Sequence, residues 1–191
     1  MILLTFDDCR PKEWAGIIPL MARLKIRATF YVSNQESVDA DGWAQLAELR
    51  EAGHSIQFHG LRHINASKVT NLDEYIQTEI VPGMELMFRR GFNPQHFAYP
   101  YGQWTEESHR RLFQFFMSLR TLNAENPMPY ERIWGAFDYD SRRYDKAVAK
   151  HVGPGAVTPV LMHSPDPARS EALAASRGDA FVTVEDIKWP R

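Results

Sequence analysis

MILLTFDD, residues 1–8, sets an apolar run of strand length directly against two carboxylates. Met1–Phe6 reads as a buried strand. The segment after it has helical period: Pro11 suits a helix start, and Trp14, Ile17, Ile18, Met21 and Leu24 fall on one face. The same alternation repeats along the chain. Ala28–Val32 is short and β-rich. Asp41 is placed to cap a helix carrying Trp43, Leu46, Ala47 and Leu49, which Gly53 stops. Ser55–His59 is the next strand. Asn71 and Glu74 resemble a capping arrangement ahead of Ile76, Ile80, Met84, Met87 and Phe88, a helix bent at Pro82, ended by Gly91 and expected to turn its Met and Phe stripe to the core. Further strands are expected at His96–Ala98, Phe116–Thr121, Ile133–Phe137, Val157–His163 and Phe181–Val184. Helices are expected after Thr105 and over Ser141–His151, and a loop over 122–132.

Repeated β-then-α units imply a mostly parallel sheet. Seven or eight strands favour closure, and the chain's 191 residues fall short of the ~250 of a full eight-fold barrel. The expected fold is α/β: a distorted, trimmed (β/α) barrel of about seven strands, forming a single catalytic domain over residues 1–191.

Composition narrows the function classes. With 44% hydrophobic and 24% charged residues, the chain is an ordinary globular protein rather than a disordered one. Lys and Arg number 22 against 24 Asp and Glu, so no basic excess points to nucleic acid. No run approaches the ~18 apolar residues of a membrane span. The N-terminus lacks the basic start and apolar stretch of a signal peptide. The single cysteine, Cys9, excludes an intrachain disulfide. A cytoplasmic location is the expectation.

In parallel α/β folds, chemistry sits at the C-terminal ends of strands. Four such ends carry candidates: Asp7 and Asp8 after the first, His59 with His63 after the third, Tyr99-Pro100-Tyr101-Gly102 after the fourth, and His163 after a late one. Each alone has an ordinary reading, as a solvated loop, a satisfied histidine or a turn. Together they are a set of parts for hydrolysis. Two histidines at i and i+4 can reach one cation, and a carboxylate completes a ligand set that leaves positions open for water and substrate. A second carboxylate can serve as general base, and a third histidine as general acid. A backbone N–H at the Tyr101 turn can help hold a developing oxyanion.

These residues resemble the NodB-type polysaccharide deacetylases, carbohydrate esterase family 4. The likeness runs through LLTFDD, RATFYVSN, LAELREAGHSIQFHGLRH, FNPQHFAYPYG, VLMHSPDP and AFVTVEDI, in the family's order. It implies a distorted (β/α) barrel and a metal-dependent hydrolase that removes N-acetyl, sometimes O-acetyl, groups from a glycan or sugar precursor. It implies Asp8, His59 and His63 as ligands of one divalent ion, most often Zn2+, with Co2+ or Ni2+ able to substitute. It implies Asp7 as general base, the Tyr101 backbone N–H at the oxyanion, and His163 as general acid. The expected partner is an N-acetylated sugar or glycan.

The chain departs from the family pattern at four places. Cys9 replaces the usual glycine after TFDD, and a packed, inert thiol is expected there. Gly60 replaces a Ser or Thr whose hydroxyl would brace the metal loop. Ala98 replaces an arginine that pairs with the general base, so a cation that would orient Asp7 is missing. The acidic segment that usually supports the acid histidine is not evident; Asp138 and Asp140 are the candidates. Among the other residues, His54 is expected to be structural, while His96, His109 and His151 lack ligand spacing and are expected at the surface. Trp104 suits either a sugar subsite or the core, and Asp166 and Arg169 suit a solvated loop. Two further functions fit the same residues: hydrolysis of a cyclic amide or imide, and a metal-containing relic that binds glycans without turnover.

Overall fold

A computed structural model describes residues 1–122, 133–138, 157–177 and 180–189. The strands are β1 (Ile2–Phe6), β2 (Ala28–Val32), β3 (Ser55–Phe58), β4 (His96–Ala98), β5 (Ser118–Thr121), β6 (Ile133–Gly135), β7 (Phe137–Asp138) and β8 (Thr158–Met162). The helices are α1 (Pro11–Gly16), α2 (Ile18–Leu24), α3 (Ala40–Glu51), α4 (Leu72–Tyr75), α5 (Val81–Arg89), α6 (Glu106–Leu112) and α7 (Pro167–Arg177). Every strand pairing is parallel, in the order β6-β5-β4-β3-β2-β1-β8-β7.

The two edges of that sheet are consecutive in sequence. Only Ala136 separates β6 from β7, and residues 133–138 pair with β5 on one side and β8 on the other. The strip joins the edges, so eight strand segments make a nearly closed barrel of seven strand positions. Phe181–Val184, expected as a strand, forms only a bridge from Phe181 to Ile2, because a 3-10 turn begins at Val184. The expected helix Ser141–His151 lies outside the described residues.

Local chemistry explains the helix boundaries. Pro11 opens α1, and Pro19 in the first turn of α2 divides one expected helix into two. The cap of α3 is Asp39, whose carboxylate accepts from the Gly42 N–H at 2.8 Å, not Asp41. Asp39 has the extended backbone of a cap, while Asp41 already lies inside the helix. Asn71 caps α4 and Thr105 caps α6, as expected. The bend expected at Pro82 is a five-residue π-helical segment, Ile76–Ile80, joining α4 to α5. Phe88 is 49% exposed and leaves the core to Met87. Among the described residues no helix is long and apolar enough to cross a membrane.

Strand alternation sorts the interior. Leu4, Phe6, Phe30, Phe58 and Phe97 point outwards and pack beneath the helices with Trp14, Met21 and Leu46. Leu3, Tyr31, Ala98, Trp134 and Leu161 fill the lumen. Positions of the inward parity just past the upper strand ends therefore open onto one mouth. Asp7 continues the parity of Leu3, His59 that of Ser55 and Gln57, and His163 that of Leu161.

Candidate active site

The two carboxylates leave β1 in different directions. Asp7 donates its N–H to the Met162 carbonyl at 3.3 Å, just past the end of β1, and is buried, while Asp8 turns into the left-handed region at φ +79° and is half-buried. His59 follows β3 and is buried; His63, at φ +62°, swings back towards it. The two imidazole Nε2 atoms lie 3.1 Å apart, and Asp8 Oδ1 is 3.5 Å from His63 Nε2 and 4.0 Å from His59 Nε2. Donor atoms of Asp8, His59 and His63 all fall within 4.8 Å of one another.

That set fits a divalent ion. Nitrogen ligands at about 2.0–2.1 Å in a tetrahedral arrangement are about 3.3 Å apart. His59 Nδ1 lies 2.8 Å from the Ala98 carbonyl, so it carries the proton and Nε2 presents its lone pair to the ligand cluster. Burial, first of all, lowers the His59 pKa to about 4; Arg120 and His63 act the same way, against Asp7 and the Ala98 carbonyl. The imidazole is neutral at neutral pH, as a ligand must be.

Asp7 is held by a residue that the sequence reading did not single out. Arg120 on β5 is fully buried and forms an ion pair and hydrogen bond with Asp7 Oδ2. Its guanidinium also lies 5.2 Å from the Tyr31 ring centroid. The missing cation at Ala98 is thereby supplied from the next strand. Arg120 shares the inward parity of Ser118, which the pairing of β5 with β4 sets. Asp7 Oδ1 is buried with no hydrogen-bond partner among the described residues, while Oδ2 lies 3.7 Å from His59 Nε2.

Tyr101, at φ +62°, is 60% exposed with its ring centroid 4.7 Å from that of His63. Together with Ile64, Asn65, Lys68 and Gln103 it lines an open cavity of about 510 Å³ on the His63 side. A second cavity of about 420 Å³ lies on the Cys9 side, among Lys12, Ser37, Asp39 and Gln45. His163 follows β8, whose Met162 is the register partner of Phe6, so it lies beside the strand end carrying Asp7. Asp8, His63 and Tyr101 are three of the five non-glycine residues with positive φ among the described residues. Strain concentrated in this way marks functional sites.

Several expectations change. His96 and His109 are buried, not at the surface. His96 Nδ1 meets Ser118 Oγ at 2.8 Å and His109 Nδ1 meets Tyr99 Oη at 2.9 Å, so each imidazole has one hydroxyl partner in the interior, while His109 Nε2 is buried with no hydrogen-bond partner among the described residues. Trp104 stacks on His109 at 3.9 Å and remains 42% exposed. His54 is structural, its Nδ1 accepting from the Ala28 N–H at 3.2 Å. Cys9 packs against the core, and burial, with Asp8 adding to it, pushes its thiol up to about 12. Asp166 accepts from the Arg169 N–H at 3.1 Å and so caps α7. Asp138 lies on β7; Asp140 and His151 lie outside the described residues.

The polysaccharide deacetylase family matches the chain over residues 1–115. No curated protein matches it. Solved structures share its fold. A T48 deacetylase determined with substrate has a TM-score of 0.71 at 21% identity, over 99% of this chain and 92% of its own. A Bc1960 peptidoglycan N-acetylglucosamine deacetylase, in complex with an N-oxidanyl-benzamide, has 0.69 at 22%, over 100% and 90%. BA3943, a CE4 family pseudoenzyme from Bacillus anthracis, has 0.71 at 16%, over 97% of this chain. The chain spans 64% of that pseudoenzyme and 66% of a mutant of it with restored enzymatic activity. Matched by the family over more than half its length, the chain belongs to the polysaccharide deacetylases.

Proposed function

We propose that this protein is a metal-dependent hydrolase that removes N-acetyl groups from a glycan or a sugar precursor. The observation that carries the reading is the convergence of Asp8, His59 and His63 beside an Asp7 gripped by Arg120. Two imidazoles and one carboxylate with open positions suit zinc. When bound, such an ion supplies Lewis acidity and lowers the pKa of a water it holds to about 7.

The chain's own residues supply the rest. Asp7 Oδ1 accepts the proton of the attacking water, while Arg120 fixes the carboxylate through Oδ2. The left-handed turn at Tyr101 offers its backbone N–H to the oxyanion. His163, just past the end of β8, gives a proton to the departing amine. The exposed Tyr101 ring at the cavity and the exposed Trp104 ring three residues on suit the faces of sugar rings.

The pseudoenzyme neighbour gives the relic reading its weight. Arg120 counts against it here, because the cation missing at Ala98 is present in the lumen. The test is acetate release from N-acetylated sugars by zinc-loaded protein, with two variants. Asp7→Asn is expected to keep zinc and lose turnover; Asp8→Ala is expected to lose both. Glycan binding with no acetate release from any substrate supports the relic, and ring opening of a cyclic imide without acetate supports the cyclic amide reading.

A further inference from the structure

The segment from His59 to His63 must reverse within four residues for both imidazoles to reach one ion. It does so with Gly60 at φ +89° and His63 at φ +62°. A loop bent this far exposes backbone amides that helix or sheet would otherwise occupy. Glu79 meets them. Its side chain is fully buried, yet Oε1 accepts from the Arg62 N–H at 2.7 Å and is 3.4 Å from the Ile64 amide nitrogen. Oε2 pairs with Arg62 Nε at 3.2 Å.

The helix is built to bring Glu79 there. Pro82 has no N–H, so the Thr78 carbonyl loses its usual helical donor. Arg62 Nη2 takes that carbonyl at 2.6 Å, tying the loop to the helix a second time. Gly83, one turn beyond Glu79, rides directly on the end of β3: a β-carbon there would stand 2.6 Å from the Phe58 ring. The π-helical segment thus lies close against the strand that ends in His59. The opposite side of the contact is equally tight. A β-carbon on Gly60 would stand 2.9 Å from Glu79 Oε1, so the carboxylate fills the place of any side chain after the first histidine.

We propose that Glu79 is the positioning residue of the metal loop. Its carboxylate, reached through a π-helical turn, holds the Arg62 and Ile64 amides and so sets the separation of His59 and His63. It takes over the bracing that a hydroxyl at position 60 would provide. A buried carboxylate without partners would be costly, and here the loop amides and Arg62 satisfy it. The inference rests on the metal reading above. Groups that orient ligands in this way are worth about 10–100-fold in metal affinity.

The test compares wild type with Glu79→Gln, Glu79→Asp and Glu79→Ala after removal of metal with a chelator. Zinc affinity is measured by competition with a chromophoric chelator, Co2+ absorption reports the ligand geometry, and circular dichroism checks the fold. Glu79→Gln keeps an acceptor at the loop and is expected to bind zinc nearly as wild type does. Glu79→Asp keeps the charge but withdraws it, and it and Glu79→Ala are expected to bind about 10–100-fold more weakly with the fold intact. A folded Asp or Ala variant that binds zinc as tightly as wild type overturns the proposal. A wild type that binds no zinc overturns the metal reading instead. Amide exchange on wild type decides if both variants unfold: the Arg62 N–H is expected to be protected like a strand amide, and rapid exchange overturns the proposal.

Discussion

Ala98 and Arg120 are direct register partners on β4 and β5, and the guanidinium that grips Asp7 starts from the second of them. Neighbours at one level of a parallel sheet point to the same side. A long side chain on either strand can therefore reach the same carboxylate at the barrel mouth. What reads as a deletion in an aligned motif is a transfer of the cation by one strand. Ala98 remains useful in its new form, because its carbonyl fixes the tautomer of His59.

Removing the guanidinium should cost both stability and turnover. Arg120→Ala leaves the Asp7 carboxylate buried without its ion-pair partner, a change worth about 3–5 kcal/mol in urea denaturation. Turnover is expected to fall by about 10²-fold or more, the usual share of a positioned general base, the role proposed for Asp7. Arg120→Lys keeps the charge but loses the planar fork and its stacking on Tyr31, and should fall between. Adding Ala98→Arg to Arg120→Ala should recover part of both losses. Equal stability and turnover in Arg120→Ala would show that the pair does no positioning.

The strand ends were legible because apolar runs of strand length ended on polar residues, as at Phe6-Asp7 and Met162-His163. The closure was less so: nothing in the stretch around Ala136 says that residues 133–138 serve two neighbours at once. Arg120 was hidden for a different reason. A charged residue in a four-residue strand fits a solvent face, and only the register with Ala98 shows that it points inwards. Glu79 adjoins Ile76, Ile80 and Gly83 on one helical face, where an acid has no reason to be until Arg62 and its loop are brought against it. The burial of His96 and His109 leaves no mark in the sequence, because neither has a carboxylate or histidine at ligand spacing. Each buried ring meets one hydroxyl, Ser118 or Tyr99, brought to it by the fold.

Cys9 should be chemically quiet despite adjoining Asp8, a proposed metal ligand. The thiolate is the reactive form, and burial pushes this thiol up to about 12. At pH 8 its alkylation by iodoacetamide is expected to run about 10³-fold slower in the folded protein than in urea, followed by mass spectrometry. Cys9→Ala is expected to leave zinc affinity unchanged. A folded-state rate near that of a free thiol would mean that the group is ionised and exposed.

Mild acid should destabilise the fold. Burial lowers His54 to about 4, with Arg27 adding to it, and burial alone lowers His96 to about 4. In the unfolded chain both return to about 6.5. Above that pH neither state is protonated, and the contribution of these rings is constant. Between about 6.5 and 4 the unfolded state takes up protons that the folded state refuses, so stability falls with pH and then levels. Melting temperatures from pH 7.5 to 4.5 should show the decline, and His96→Asn, which keeps a partner for Ser118, should make it shallower while His54 keeps its share. A profile level down to pH 4.5 would contradict neutral burial of these two rings.

Placing a serine after His59, the first of the two proposed metal histidines, should weaken the site, contrary to what the resemblance to related chains suggests. In Gly60→Ser the new β-carbon stands 2.9 Å from Glu79 Oε1, on a backbone at φ +89°. The left-handed strain alone is of order 1–3 kcal/mol. The displaced carboxylate would also loosen its hold on the Arg62 amide. Lower melting temperature and weaker zinc binding are expected together. In Gly60→Ser with Glu79→Ala the collision disappears and the hydroxyl gains room, so the two losses should be less than additive. The strain at φ +89° persists in both, which is why only the zinc affinity, and not the full melting temperature, should recover. Tighter zinc binding in Gly60→Ser alone would mean that the loop is free to move away from Glu79, and that its grip on the two imidazoles lies elsewhere.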